Sequence, residues 1–154
     1  TGHLVFSTLH TNDSCGATTR LLDMGVEPFL VASTVEGVMA QRLVRRICAS
    51  CREPHAPAPG EPPPGFSLPA GGSLWRGRGS RGGRQTGYRG RVGIYELLRI
   101  PEPLRELVMQ RANANRIAQR ALADGDLNLL RVAAIDKAME GVTTLEEAVQ
   151  STSA

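Results

Sequence analysis

Long apolar runs are missing from this 154-residue chain. None approaches the roughly 18 to 20 residues that a membrane-spanning helix needs, so the sequence offers no helical span. Cysteine is scarce as well, and three Cys in this length exclude a disulfide scaffold. Aromatic residues number only six, with a single Trp at position 75. Lysine is almost absent: Lys137 stands alone against 17 Arg, a bias better assigned to codon usage than to a functional choice of guanidinium. With 41% hydrophobic and 21% charged residues the chain is nevertheless able to build a core, which excludes wholesale disorder. Its length suits one modest domain or part of a larger one, and its abrupt entry into an apolar run suggests a segment of a longer protein.

The net charge of +3 hides an uneven distribution. Residues 1–36 carry one Arg against four acids, residues 37–99 eleven Arg against three, and residues 100–154 six cations against eight acids. The basic middle could meet phosphates, an acidic partner or a membrane surface.

Leu4-Val5-Phe6-Ser7-Thr8-Leu9 predicts a strand buried on both faces, as in a parallel α/β sheet. His10-Thr11-Asn12-Asp13 then supplies N-cap residues for a helix over 14–24, which Gly25 is placed to end. From Pro28 the spacing of Leu30, Val31, Val35, Val38, Met39 and Leu43 predicts a second, amphipathic helix as far as about Arg46. Residues 54–69 hold seven of ten prolines and residues 60–90 ten of seventeen glycines, which excludes long helices and central strands there. The tip around Pro62-Pro63-Pro64-Gly65 is expected to be mobile. Val92 to Leu98 predicts a strand, and three or four short helices are expected, at roughly 102–112, 114–123, 127–140 and 145–150. Gly141 suits the end of the third, and Thr143 or Thr144 with Glu146 or Glu147 gives a capping box for the fourth.

Three groupings could carry chemistry. At the carboxyl end of an α/β strand, Thr8, His10 and Thr11 would gather hydroxyls and an imidazole suited to phosphate oxygens or an attacking water; a buried strand capped by a polar turn explains them equally. Cys48-Ala49-Ser50-Cys51 is a C-x-x-C knuckle without a second pair; Cys15 and His55 are the other nearby donors. It could serve zinc or redox chemistry, or be two reduced, partly exposed thiols. Trp75-Arg76-Gly77-Arg78-Gly79-Ser80-Arg81-Gly82-Gly83-Arg84 is similar to Arg/Gly segments that bind nucleic acid, although a solvated loop is the plainer account.

Taken together, Thr1 to Asp13, Arg20-Leu21-Leu22-Asp23-Met24-Gly25-Val26-Glu27-Pro28-Phe29-Leu30, Gln41-Arg42-Leu43-Val44-Arg45-Arg46-Ile47-Cys48, Thr86-Gly87-Tyr88-Arg89-Gly90-Arg91-Val92-Gly93-Ile94-Tyr95-Glu96 and Thr143-Thr144-Leu145-Glu146-Glu147 resemble the GspE/PilB-type secretion ATPase family. These are the motors of type II secretion and type IV pilus assembly, and Thr1 to Asp13 resembles their histidine box. The resemblance implies an α/β, RecA-like P-loop NTPase fold, of which this chain is the carboxyl-terminal part, working as a homo-hexamer on ATP and Mg2+. It implies a cytoplasmic protein, peripheral to the inner membrane through platform and scaffold partners, with no nucleic acid involved. By match to the box, His10 and Thr8 would be catalytic and Thr11 and His3 nucleotide-binding; Arg42, in the Gln41-Arg42-Leu43 element, would be a nucleotide or inter-subunit contact. The implied organisation is a piece of the ATPase core over 1–47, a degenerate cysteine-motif loop over 48–90, and a strand with a helical subdomain over 91–154.

Two departures from the family pattern matter. No G-x-x-x-x-G-K-[ST] occurs, so the loop that cradles phosphates is missing and no ATP turnover by this chain alone is expected. Motors of this type commonly carry a second C-x-x-C; Ser80 and Gly83 stand at the matching positions, so zinc is expected to be absent and Cys48 and Cys51 to be remnants. Two alternatives stay open: a small basic Arg/Gly-rich nucleic-acid-binding module, and an inactive remnant of the motor.

Overall fold

Asp13 opens the first helix. Its backbone is extended and its carboxylate accepts the Gly16 N–H, one of the donors that a helix start leaves unpaired. The computed structural model describes residues 2–57, 72–79 and 85–153. In it α1 (Ser14–Asp23) is followed by α2 (Pro28–Thr34), with Gly25 at φ 89° turning the chain between them and Pro28 in the first turn of α2. Next come β1 (Gly37–Ile47), β2 (Arg52–His55), β3 (Leu74–Gly77), β4 (Tyr88–Arg99), α3 (Glu102–Met109), α4 (Ala114–Asp124), β5 (Leu127–Asn128), α5 (Leu130–Met139) and α6 (Leu145–Thr152). The chain is mixed α/β and divides into two units, Thr1–Ala40 with Glu96–Asn128, and Gln41–Tyr95 with Leu129–Ala154.

Most predicted elements are present, and two are not. Residues 2–10 form no strand, and Leu4, Val5 and Phe6 are exposed rather than buried on both faces. A strand of a parallel sheet is held by neighbours on both sides, and among the described residues none pairs with this segment. The helix expected to continue from Pro28 to Arg46 stops at Thr34, and Gly37–Ile47 is a strand beside β4. Val38, Ala40, Arg42 and Val44 are more covered than Met39, Gln41 and Leu43, so the period is two rather than 3.6. The pairing with β4 decides between periods that the same apolar residues allow.

In the first unit the end of β4 pairs antiparallel with β5, Leu97 opposite Asn128 and Leu98 opposite Leu127. The Ile100 N–H donates to Glu36 O, which ties β4's exit to β1's entry. Leu98 on β4, Leu104 on α3 and Ile117 on α4 are fully buried, and α3 packs on both α2 and α4. Asn113 caps α4 by accepting the Arg116 N–H, and Gly125 at φ 76° closes it.

In the second unit α5 and α6 pack together, and Ile47 N–H donates to Val142 O. Thr144 caps α6 by accepting the Glu147 N–H, but the capping box is only half made. Glu147 turns instead to Arg45, accepting its backbone N–H at 2.9 Å, its Nε at 2.8 Å and its Nη2 at 2.6 Å. The same guanidinium lies 4.2 Å from the Tyr88 ring centroid, and Tyr88 OH pairs with Thr144 Oγ1 at 2.8 Å.

Burial alone would raise the Glu147 pKa, yet the bonds from Arg45 outweigh it and hold the carboxyl below its ordinary 4.5. A depressed native pKa means that the unfolded chain binds the proton first. The stabilisation is therefore full above the ordinary value and is lost as pH falls through the lowered one. Glu147→Gln should lower stability by about 1 kcal/mol at neutral pH, modest because the Arg45 side chain is half exposed. Urea unfolding at pH 7 and pH 3 should show this gap closing in acid; an equal gap at both values would contradict the assignment.

β2 and β3 form an antiparallel ribbon in register Arg52 with Gly77 to His55 with Leu74. Glu53 takes Arg76 and Arg78 at 2.9 Å each, and the Arg52 guanidinium lies 4.6 Å from the Trp75 ring while donating to Gly141 O. Trp75 to Gly77, which open the Arg/Gly tract, are thus strand rather than solvated loop. Residues 80–84 of the tract and the Pro62 to Gly65 tip lie outside the described residues.

Candidate functional site

The residues matching the histidine box precede α1. His3, Thr8 and His10 are exposed, and Thr11 is half-buried just ahead of the N-cap. Arg42 is half-buried on β1 and belongs to the other unit.

The exit of this segment is anchored. Ser14, the first residue of α1, donates its N–H to Glu96 Oε1 at 2.8 Å, and its hydroxyl donates to the same oxygen. Glu96 lies on β4 and is only 4% exposed. With Gly16 N–H held by Asp13 and Ser14 N–H by Glu96, these two donors of α1 are already satisfied from within the chain.

Sequence reasoning missed Glu96. The signal was the phase of β4, where Ile94, Glu96 and Leu98 are the buried alternates of the strand. An acid in the inward phase of an apolar strand needs a partner, and the start of α1 provides it.

Cys15 packs behind this pair. Burial first, then the charges of Glu96 and Asp13, push its thiol up to about 11, against a smaller opposing contribution from Ser14. At neutral pH it is a protonated core thiol, a poor nucleophile.

Cys48 and Cys51 are reduced and buried, where partial exposure was expected. Backbone bonding covers them: Cys51 N–H donates to Cys48 O, Cys48 N–H to Gly87 O and Arg78 N–H to Cys51 O. Cys48 Sγ also lies 3.1 Å from Ser50 Oγ. A structural zinc needs four such donors. Among the described residues no group of three or more His, Cys, Asp or Glu comes together. Ser80 and Gly83, outside the described residues, carry no zinc-ligating side chain. Nor is any helix among the described residues long and apolar enough to cross a membrane.

Comparison with known proteins adds a global view of this arrangement. Residues 1–150 match the family described as Type II/IV secretion system protein. Over 99% of the chain, the sequence is 44% identical to the Type II secretion system protein E of Pseudomonas aeruginosa, of which it covers 30%. It is 42% identical to the Type IV pilus assembly ATPase PilB of Myxococcus xanthus over 99% of the chain and 27% of that protein. The Type II secretion system ATPase E of Vibrio cholerae is 43% identical over 99% of the chain and 30% of its own length. The chain thus spans under a third of the length of these relatives.

Proposed function

The chain belongs to the type II/IV secretion system protein family, and from that premise we propose that it forms the carboxyl-terminal part of an ATP-driven motor for type II secretion or type IV pilus assembly. The observation that carries this reading is the likeness over 99% of the chain to relatives named as secretion and pilus assembly ATPases. In this reading residues 1–47 complete a RecA-like core whose phosphate loop is supplied by sequence other than this. The motor is a homo-hexamer, cytoplasmic and held at the inner membrane by its platform and scaffold partners.

ATP with Mg2+ would supply the phosphoanhydride bond whose hydrolysis drives domain movement. The exposed side chains ahead of α1 suit contact with phosphate oxygens from one side. Thr8 and Thr11 would donate hydroxyl hydrogen bonds where charge grows on the γ-phosphate, and the His10 imidazole would hold a water or an oxygen in place. His3 would lie beside the nucleotide, and Arg42 would offset anionic charge at it or at a neighbouring subunit. The cysteine knuckle works without zinc. Arg76 and Arg78, both held by Glu53, favour the motor over a nucleic-acid-binding role for the Arg/Gly tract.

Two measurements test this reading. The purified chain should show no ATP turnover above a His10→Ala control, whereas the same substitution in the full motor should lower kcat at least a hundredfold. Metal analysis of the chain should find far less than one zinc each. Turnover by the chain alone that disappears with His10, or a stoichiometric zinc, would overturn the corresponding part.

A further inference from the structure

We propose that Glu96 is a positioning residue: a buried carboxylate on β4 that fixes where the segment carrying His3, Thr8, His10 and Thr11 leaves the fold. The inference rests on the functional reading for its purpose, but not for its geometry. Residues 2–10 make no regular structure, so the placement of that segment depends on how its carboxyl end is held. Two hydrogen-bonding groups are seen there among the described residues. Asp13 closes the first turn of α1 locally, by accepting the Gly16 N–H. Glu96 is drawn from a distant part of the sequence, 82 residues away, and takes both the amide and the hydroxyl of Ser14 on one oxygen.

The chemistry suits a fixed pivot. A carboxylate accepting from an N–H and an O–H makes charge-assisted bonds, stronger than those between neutral groups. Within a site this well covered they are not exchanged for water: Ser14 is 0% and Glu96 4% exposed. The carboxylate also faces the start of a helix, where the aligned peptide dipoles favour negative charge. β4 is in turn clamped in the first unit by its pairing with β5, so Ser14 is referred to a strand rather than to another loop. A movement of β4 would therefore be passed to Thr11 and His10 through Glu96, and the reverse.

The test uses the chain itself and needs no nucleotide. Backbone order of Thr11 to Ser14 and amide exchange at Ser14 are followed by NMR in the wild type, Glu96→Ala and Glu96→Gln. Ala should raise Ser14 exchange at least tenfold and loosen Thr11 to Asp13, while exchange at Leu104, in the same unit, stays within threefold. Gln, whose carbonyl still accepts, should restore both to within threefold of wild type. The Gln variant should also shift the pH profile of Cys15 alkylation downward, because the charge is gone although the burial remains. Should Glu96→Ala fail to fold, Ser14→Ala removes one of the two bonds and should still loosen Thr11 to Asp13 measurably. Unchanged order in every variant, or a loss spread equally to Leu104, would overturn the proposal. A motor without nucleotide activity would leave these results intact, so the two failures are distinguishable.

Discussion

Replacing Arg105 by Ala should destabilise the first unit by about 3 kcal/mol. Its side chain is only 20% exposed and is used by three partners. Nε donates to Ile100 O at 3.1 Å, Nη1 donates to Ala32 O, and Nη2 lies 3.2 Å from Glu36 Oε1. The three are not equal. Glu36 is 76% exposed, so that ion pair is screened and contributes little. The weight lies on the two carbonyls. Ala32 is near the carboxyl end of α2, where a helix runs out of following amides for its last carbonyls, and Ile100 is the residue that leaves β4. Both residues are buried, so removing the guanidinium strands two acceptors at about 1 to 3 kcal/mol each, less what water recovers. Arg105→Lys should recover less than half, because one ammonium cannot span the positions that the planar fork reaches. Urea unfolding monitored by circular dichroism measures this, and a loss for Arg105→Ala below 0.5 kcal/mol would show that the carbonyls find other donors.

Gly141→Ala should cost the second unit about 2 to 3 kcal/mol, and two separate causes contribute. Gly141 follows α5 at φ 72°, where a side chain costs roughly 1 kcal/mol or more. A Cβ there would also stand 2.8 Å from Cγ and Cδ1 of Trp75, a rigid ring that cannot swing away as a flexible chain end would. Trp75 is held in turn by the Arg52 guanidinium, which donates to Gly141 O. Gly125 supplies the control. Its φ is 76°, but a Cβ there meets nothing within 4 Å, so Gly125→Ala should show the backbone cost alone. As Trp75 is the only tryptophan, its emission should also change in Gly141→Ala and not in Gly125→Ala. Equal losses for both variants, with unchanged emission, would remove the ring contact from the account.

Much of this was legible in advance because the signals are local. Asp13 and Thr144 cap the helices they precede, Gly25 and Gly141 take the left-handed turns they were placed for, and four helices follow residue 100 where three or four were expected. The candidate site was legible as a cluster of residue types, Thr8, His10 and Thr11 beside an N-cap. Glu147 was placed correctly by its spacing from Thr144, yet its carboxylate serves Arg45, 102 residues away. No spacing rule within one helix could have reported that.

What the amino-acid sequence determined by itself is where most helices lie, several of their caps and the family to which the chain belongs, since caps, turns and long motifs are properties of neighbouring residues. Tertiary structure alone decided that Gly37–Ile47 is a strand, that Cys48 and Cys51 are covered, and that Glu96 holds Ser14. In each case the deciding partner lies far along the chain: β4 for the strand, Gly87 and Arg78 for the cysteine turn, α1 for the glutamate. Apolar residues that fit two periods, and a polar group that must find a partner once buried, are resolved only by what folds against them.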